Sequence, residues 1–235
     1  MKTRLSFLFL SLLSISLLAQ EKDFNFRFEA GGNLSNIVSY KHNINNNSNF
    51  LNGDYKLGYQ IGGFINYNFG HYFYASSGLN FITKGFNSKN VPIMDSNGVE
   101  IRRTDYSTSL IYIQVPVQLG LRFPIKDNHD IDLLAGGYFG FAVIGNEKFE
   151  DENNNIVIRN FFDELYIIGS NRFDVGLKFS IAYNFYNMYI AATYDWGMYK
   201  FISHEVEDLN NDLIDDSYKY HAKNSTIGLS LGVKF

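Results

Sequence analysis

From Phe24 onward, apolar and polar residues alternate with a period of two, and no window keeps apolar residues at helical spacing over three turns. A period of two is the mark of strands whose two faces meet different surroundings. The clearest stretch is Leu110 to Phe123. Ile111, Ile113, Val115, Val117, Leu119, Leu121 and Phe123 fall on one face, and Leu110, Tyr112, Gln114, Pro116, Gln118, Gly120 and Arg122 on the other. Eight such segments are predicted, over Phe24–Leu34, Lys56–Phe69, Tyr72–Lys84, Thr108–Phe123, Asp130–Val143, Arg172–Phe185, Met188–Phe201 and Ser225–Phe235. Each is long enough to cross a bilayer at a tilt, which takes ~9–11 residues.

The connections alternate in length. Gly70-His71, Pro124–His129 and Tyr186-Asn187 are short, whereas Ser35–Tyr55, Gly85–Ser107, Ile144–Asn171 and Ile202–Asn224 are long and polar. Short turns at one end and long loops at the other characterise outer-membrane barrels, in which the short turns are periplasmic. The expected fold is therefore all-β, an eight-stranded antiparallel up-and-down transmembrane β-barrel.

Alternation alone does not say which face looks outward; volume and charge do. One face carries Phe24, Phe26, Phe28, Leu57, Tyr59, Ile61, Ile65, Tyr67, Leu79, Phe81, the Ile111 series, Phe139, Phe141, Phe173, Phe179, Trp196 and Ile227 to Phe235 at every second position. An eight-stranded barrel is just filled by modest side chains, so that set does not fit inside. The other face is small or polar, with Gly31, Gly62, Gly140, Gly176, Gly232, Ser76 and Ser230, and it also carries charge. Arg27, Arg122, Lys178 and Lys234 stand against Glu29, Asp132, Asp174 and Asp195. A Lys or Arg facing lipid near the midplane costs ~2–4 kcal/mol. These eight residues are therefore expected inside, as one balanced charge network that fills a narrow lumen. Pro116, inside a strand on the lumen register, is expected to mark a local bulge or a lost ladder bond.

Several stretches resemble the PorT-like outer-membrane β-barrel family common in Bacteroidota. Leu110-Ile-Tyr-Ile-Gln-Val-Pro-Val117 is similar to that family's central strand, and Phe173-Asp-Val-Gly-Leu-Lys178 and Gly228-Leu-Ser-Leu-Gly-Val-Lys-Phe235 are similar too. The resemblance covers essentially the whole mature chain. It implies an eight-stranded barrel placed by the outer-membrane insertion machinery, with secretion-complex proteins as possible partners. Its motifs are structural and say almost nothing of activity.

Composition adds a compartment. Lys2 and Arg4 precede an apolar run from Leu5 to Leu18 and a small residue, Ala19, before Gln20. This is the pattern of a secretory signal peptide cut near Ala19–Gln20, so residues 1–19 are expected to be signal and 20–235 the barrel domain. There is no Cys, which excludes a lipoprotein anchor, disulfides and thiolate metal sites. The formal net charge of −4 argues against nucleic-acid binding.

Candidate chemistry is sparse. Asp208, Asn210 and Asp212 have the alternating spacing of a calcium loop, but Leu213 occupies the position where that loop needs Gly. The five His are scattered, and no nucleophile elbow, zinc-protease helix motif or phosphate-cradling loop is present. The expectation is a non-enzymatic barrel without cofactor, with a narrow charge-filled lumen, long extracellular loops and a structural, surface-interaction or secretion-associated role. The alternatives are a small-solute pore or an outer-membrane enzyme with a loop-side site.

Overall fold

The computed structural model describes residues 23–42, 53–94, 100–150, 155–162, 171–199, 202–206 and 218–235. They form ten strands: β1 (Phe24–His42), β2 (Lys56–Asn68), β3 (Phe73–Met94), β4 (Glu100–Lys126), β5 (His129–Glu150), β6 (Ile156–Asn160), β7 (Phe173–Phe185), β8 (Met188–Gly197), β9 (Ile202–Val206) and β10 (Tyr218–Lys234). The expected signal peptide and the Asp208–Asp212 run lie outside the described residues.

Antiparallel ladders link β1, β2, β3, β4, β5, β7, β8 and β10 in that order, and β10 pairs back onto β1. Closure leaves no free edge at that level, as lipid requires of a spanning sheet. The register fixes the tilt. A walk through directly paired residues runs Asn25, Asn66, Ser76, Gln118, Gly136, Lys178, Asp195, Thr226 and back onto β1 at Ser35. The circuit ends ten residues further along β1 than it began, at Ser35 instead of Asn25. With ~3.3 Å per residue and ~4.8 Å between strands, the strands lean about 40° from the barrel axis.

Burial follows the period of two. On β8 every second residue is buried, and the residues between them are exposed. Outward residues are bare: Leu57 is 76% and Leu119 67% exposed. An apolar surface this continuous needs a non-aqueous neighbour. Phe26 departs from the expected outward set, being buried rather than exposed.

The sequence pattern sets the wall correctly and the loops too generously. β1 continues past Leu34 to His42, β3 past Lys84 to Met94, β4 begins at Glu100 and β5 runs on to Glu150. Much of the expected loop sequence is thus paired strand standing beyond the apolar band. The outward residues meet water there instead of lipid and turn polar, as at Asn87, Ser107 and Lys148, so the apolar alternation that signals a strand disappears while Ser35, Ile37, Phe86, Ser88 and Thr104 stay buried on the inward side. β6 extends this upper wall from β5, and β9 extends it from β10.

Pro116 produces no bulge. The β3–β4 register is the same on either side of it, Ser77 with Val117 and Asn80 with Gln114, but the two intervening pairs are missing. Proline lacks the N–H those rungs need, and the Ser77 hydroxyl donates to the Pro116 carbonyl instead, at 2.9 Å. The bulge in this part of the wall is at Val143, where Ile111 faces Ile144 and Tyr112 faces Ala142.

A filled lumen as the candidate functional site

The inward residues stack as layers along the barrel. Nearest the short turns, Arg122 and Asp132 face each other directly across β4 and β5. The Arg122 guanidinium donates to both Asp132 carboxylate oxygens, at 3.0 and 3.2 Å. Tyr74 reaches over from β3 and donates to Asp132 Oδ2 at 3.0 Å, and its ring lies 5.0 Å from the Arg122 guanidinium carbon. On the opposite wall the Arg27 guanidinium covers the Tyr189 ring at 4.1 Å, and the Tyr189 hydroxyl donates to Glu29 Oε2 at 2.9 Å. Lys234 completes the layer 3.8 Å from Asp130.

These tyrosines fit because glycine stands beside each. Gly120 pairs with Tyr74 and Gly232 with Tyr189. A β-carbon on Gly232 would sit 2.2 Å from the Tyr189 ring, and one on Gly120 2.4 Å from the Tyr74 ring. The ring fills the space that the neighbouring strand leaves open, as aromatics do over sheet glycines.

A cavity of ≈ 20 Å³ follows, lined by Arg27, Glu29, Phe64, Gln118, Lys178 and Thr193 among others. That is room for about one water. Above it lies a second charged layer centred on Lys84. Its ammonium is 2.9 Å from Asp174 Oδ2 and 3.3 Å from Asp195 Oδ2. Lys178 holds the other Asp195 oxygen at 2.8 Å, and Gln114 donates to Oδ2 at 2.8 Å. Tyr138 donates to Asp174 Oδ1 at 3.2 Å. β3 and β8 stand diametrically opposite in the ring, so the Lys84–Asp195 contact spans the lumen. Asn224 on β10 meets the Tyr112 hydroxyl on β4, also opposite, at 3.4 Å.

The end opposite the short turns, the hairpin end where paired strands project beyond the apolar band, is closed differently. Ile37, Ile82, Phe86, Leu110, Ala142 and Phe161 form a buried apolar cluster above Tyr112. Phe161 comes from the turn after β6 and is fixed by its N–H on the Gly145 carbonyl at 2.9 Å. Arg172 covers the adjoining Phe162 ring at 4.1 Å. Tyr106 packs beside this cap and donates to Glu147 Oε2 at 2.6 Å. Burial first, then that hydrogen bond, pushes the Tyr106 phenol well above its ordinary value.

The eight charged residues expected inside thus fall into two groups and not one network. Arg27, Glu29, Arg122, Asp132 and Lys234 belong to the lower layer; Asp174, Lys178 and Asp195 belong to the upper. A cavity of ≈ 20 Å³ lies between them, with Arg27 and Glu29 of the lower group and Lys178 of the upper on its lining. The four buried tyrosines, Lys84 and Asp130 are absent from the expectation. Lys84 ends a predicted segment; the tyrosines fall on the lumen side of the alternation, as Tyr112 does beside Gln114, but an uncharged ring gives no sign there of the acid it meets. Among the described residues no group of three or more His, Asp or Glu can hold a metal ion.

A closed antiparallel strand ring, apolar outside and polar within, defines an outer-membrane β-barrel. The chain belongs to the family described as the outer membrane protein beta-barrel domain, whose sequence model matches residues 18–203. Solved structures match over most of their length at low identity. The attachment invasion locus protein Ail of Yersinia pestis is 14% identical with a TM-score of 0.37, over 91% of this chain and 99% of that one. OprG of Pseudomonas aeruginosa is 12% identical with a TM-score of 0.45, over 91% and 97%. Neisserial surface protein A is 10% identical with a TM-score of 0.39, over 89% and 97%. Comparison with curated proteins found no match.

Proposed function

We propose that this is a non-enzymatic, non-conducting eight-stranded barrel that presents its projecting strands at the cell surface, in a structural, surface-interaction or secretion-associated role. The observation that carries the reading is the Lys84 layer. Its ammonium ties β3 to β7 and β8 across the lumen, between a cavity of single-water size and an apolar cap. A solute path would have to break buried ion pairs at one level and expel Phe161 at another. Both ends being shut, the surface left for interaction is outside the lumen, on the upper parts of β3, β4, β5 and β6. The strand Leu110–Val117 supports placing the chain in the PorT-like branch of its family, and residues 1–19 support export through a cleaved signal. The test is conductance of the purified, refolded chain in planar bilayers, with protease shaving of intact cells. Closed traces and cleavage at the exposed Lys89 or Arg103 are expected. Large, steady conductance would overturn the closed reading, and protection of both residues would overturn the exposure of the projecting strands.

A further inference from the structure

On the outer wall, the change from apolar to polar residues occurs at one level on adjacent strands. Outward residues pass from Ile111 to Ser109 and Ser107 on β4, and from Ile144 to Asn146 and Lys148 on β5. On β2, Lys56 directly adjoins Leu57, the most exposed residue of the apolar wall. Two lysines converge at this boundary. The Lys56 side chain lies across β3 over Gly85, where a β-carbon would come within 3.2 Å of its Cδ. It ends with its ammonium on the Ser107 hydroxyl at 2.8 Å. Ser107 is the direct cross-strand partner of Lys148, so both side chains share one face about 5 Å apart at their β-carbons. The Ser107 hydroxyl in turn donates to Asn87 Oδ1 at 2.7 Å, which fixes its orientation.

Like charges repel, and the charge of Lys148 is felt at Lys56. Neither lysine has an ion-pair partner among the described residues; the nearby Asp54 instead faces Lys89, at 4.0 Å. Burial and then the charge of Lys148 hold the Lys56 ammonium below the usual lysine range. A dianion between the two ammoniums would relieve the repulsion and satisfy both sets of donors.

We propose that Lys56 and Lys148, with the Ser107 hydroxyl between them, bind the phosphate group of a phosphorylated glycolipid in the outer leaflet. The site sits at headgroup depth, beside the last lipid-facing residues, and it opens sideways to the bilayer. A lipid whose chains lie on the wall of β2 to β5 presents its phosphate there without leaving the membrane. The assignment uses the barrel and its hairpin end outward, and is independent of whether the lumen conducts.

The experiment refolds the full chain into phosphatidylcholine vesicles that contain lipid A, or the same glycolipid with its phosphates removed. Retained glycolipid is counted by native mass spectrometry after extraction, and the unfolding temperature is read in parallel. Heat-modifiable gel migration verifies that each variant is folded. The wild-type chain is expected to retain phosphorylated glycolipid and to unfold at a higher temperature with it. Lys56→Gln with Lys148→Gln should cut retention roughly tenfold or more, the scale of a lost hydrogen bond between charged groups. Lys56→Arg with Lys148→Arg should keep most of it. Equal retention by the glutamine variant, equal retention of the dephosphorylated glycolipid, or displacement by millimolar inorganic phosphate alone would each overturn the proposal.

Discussion

At the scale of single residues, Lys84 shows how much a buried charge depends on its partners. Its side chain is fully buried, as are those of Asp174 and Asp195 to within 2%. Such an assembly does not guarantee net stabilisation, because desolvation offsets the attraction, but removing one member leaves the others uncompensated. Lys84→Met is expected to cost ~3–5 kcal/mol, read as a lower urea midpoint in detergent. Lys84→Met combined with Asp174→Asn should recover part of that loss; no recovery would show that the pair does not act together. The exposed Lys89–Asp54 pair is the contrast, since solvent screens it. Lys89→Ala should shift the same midpoint by less than ~1 kcal/mol. Gly232→Ala tests the ring-over-glycine packing. Its new methyl would meet the Tyr189 ring, which carries Arg27 on its face and Glu29 at its hydroxyl. A loss of ~1–3 kcal/mol is expected, the usual scale of overpacking. Gly70→Ala, whose β-carbon meets nothing within 4 Å, should not reproduce it.

At the scale of elements, the wall and the cap respond to different changes. The turn after β6 contributes one ring, Phe161, to the apolar cluster, and its backbone is pinned to Gly145. Phe161→Ala should lower stability by ~3–5 kcal/mol if the cluster cannot collapse, as for other buried rings. It should leave the bilayer traces closed, because the Lys84 layer lies beneath. Conductance from Phe161→Ala alone would show that the cap is the barrier and the charged layer is not. The projecting strands were legible only in part. Up to Lys84 and down to Thr108 the outward residues meet lipid and the inward ones meet the lumen, so the sequence alternates. Beyond that level the ladder runs on from Gly85 with Ser109 to Pro92 with Arg103, with a register shift after Ser88, and polar residues stand on both faces, Ser88, Thr104 and Thr108 among the buried ones. Strand pairing there is held by backbone hydrogen bonds and cross-strand contacts that leave no periodic mark.

At the scale of the whole molecule, closure concentrates on one seam. β10 meets β1 from Arg27 with Lys234 to His42 with Lys219, and the Phe26 and Phe235 backbones exchange hydrogen bonds of 3.1 and 2.9 Å just below. Deleting Gly232–Phe235 removes Lys234 from the lower layer, exposes Tyr189 and leaves the short-turn end of β1 unpaired on the edge that faces β10. Unpaired strand edges are not tolerated in lipid. The truncated chain should fail to reach the outer membrane at normal levels, and normal levels by fractionation would refute the role given to this seam.

The sequence by itself determined that the chain is a strand-built wall with an apolar and a polar side. It also located the short turns and put eight charged residues, though not Lys84 or Asp130, on the side away from lipid. These follow from local alternation, because each residue's face is set by its own position in the strand. Tertiary structure alone decided the partners. Whether Lys84 meets Asp174 or another acid depends on the ten-residue offset accumulated around the ring, and no single strand records that offset. The same holds for Tyr74 and Tyr189. Alternation puts both rings on the lumen side, with Ser76 and Ala191, and only the glycine that the register brings beside each one makes room for it.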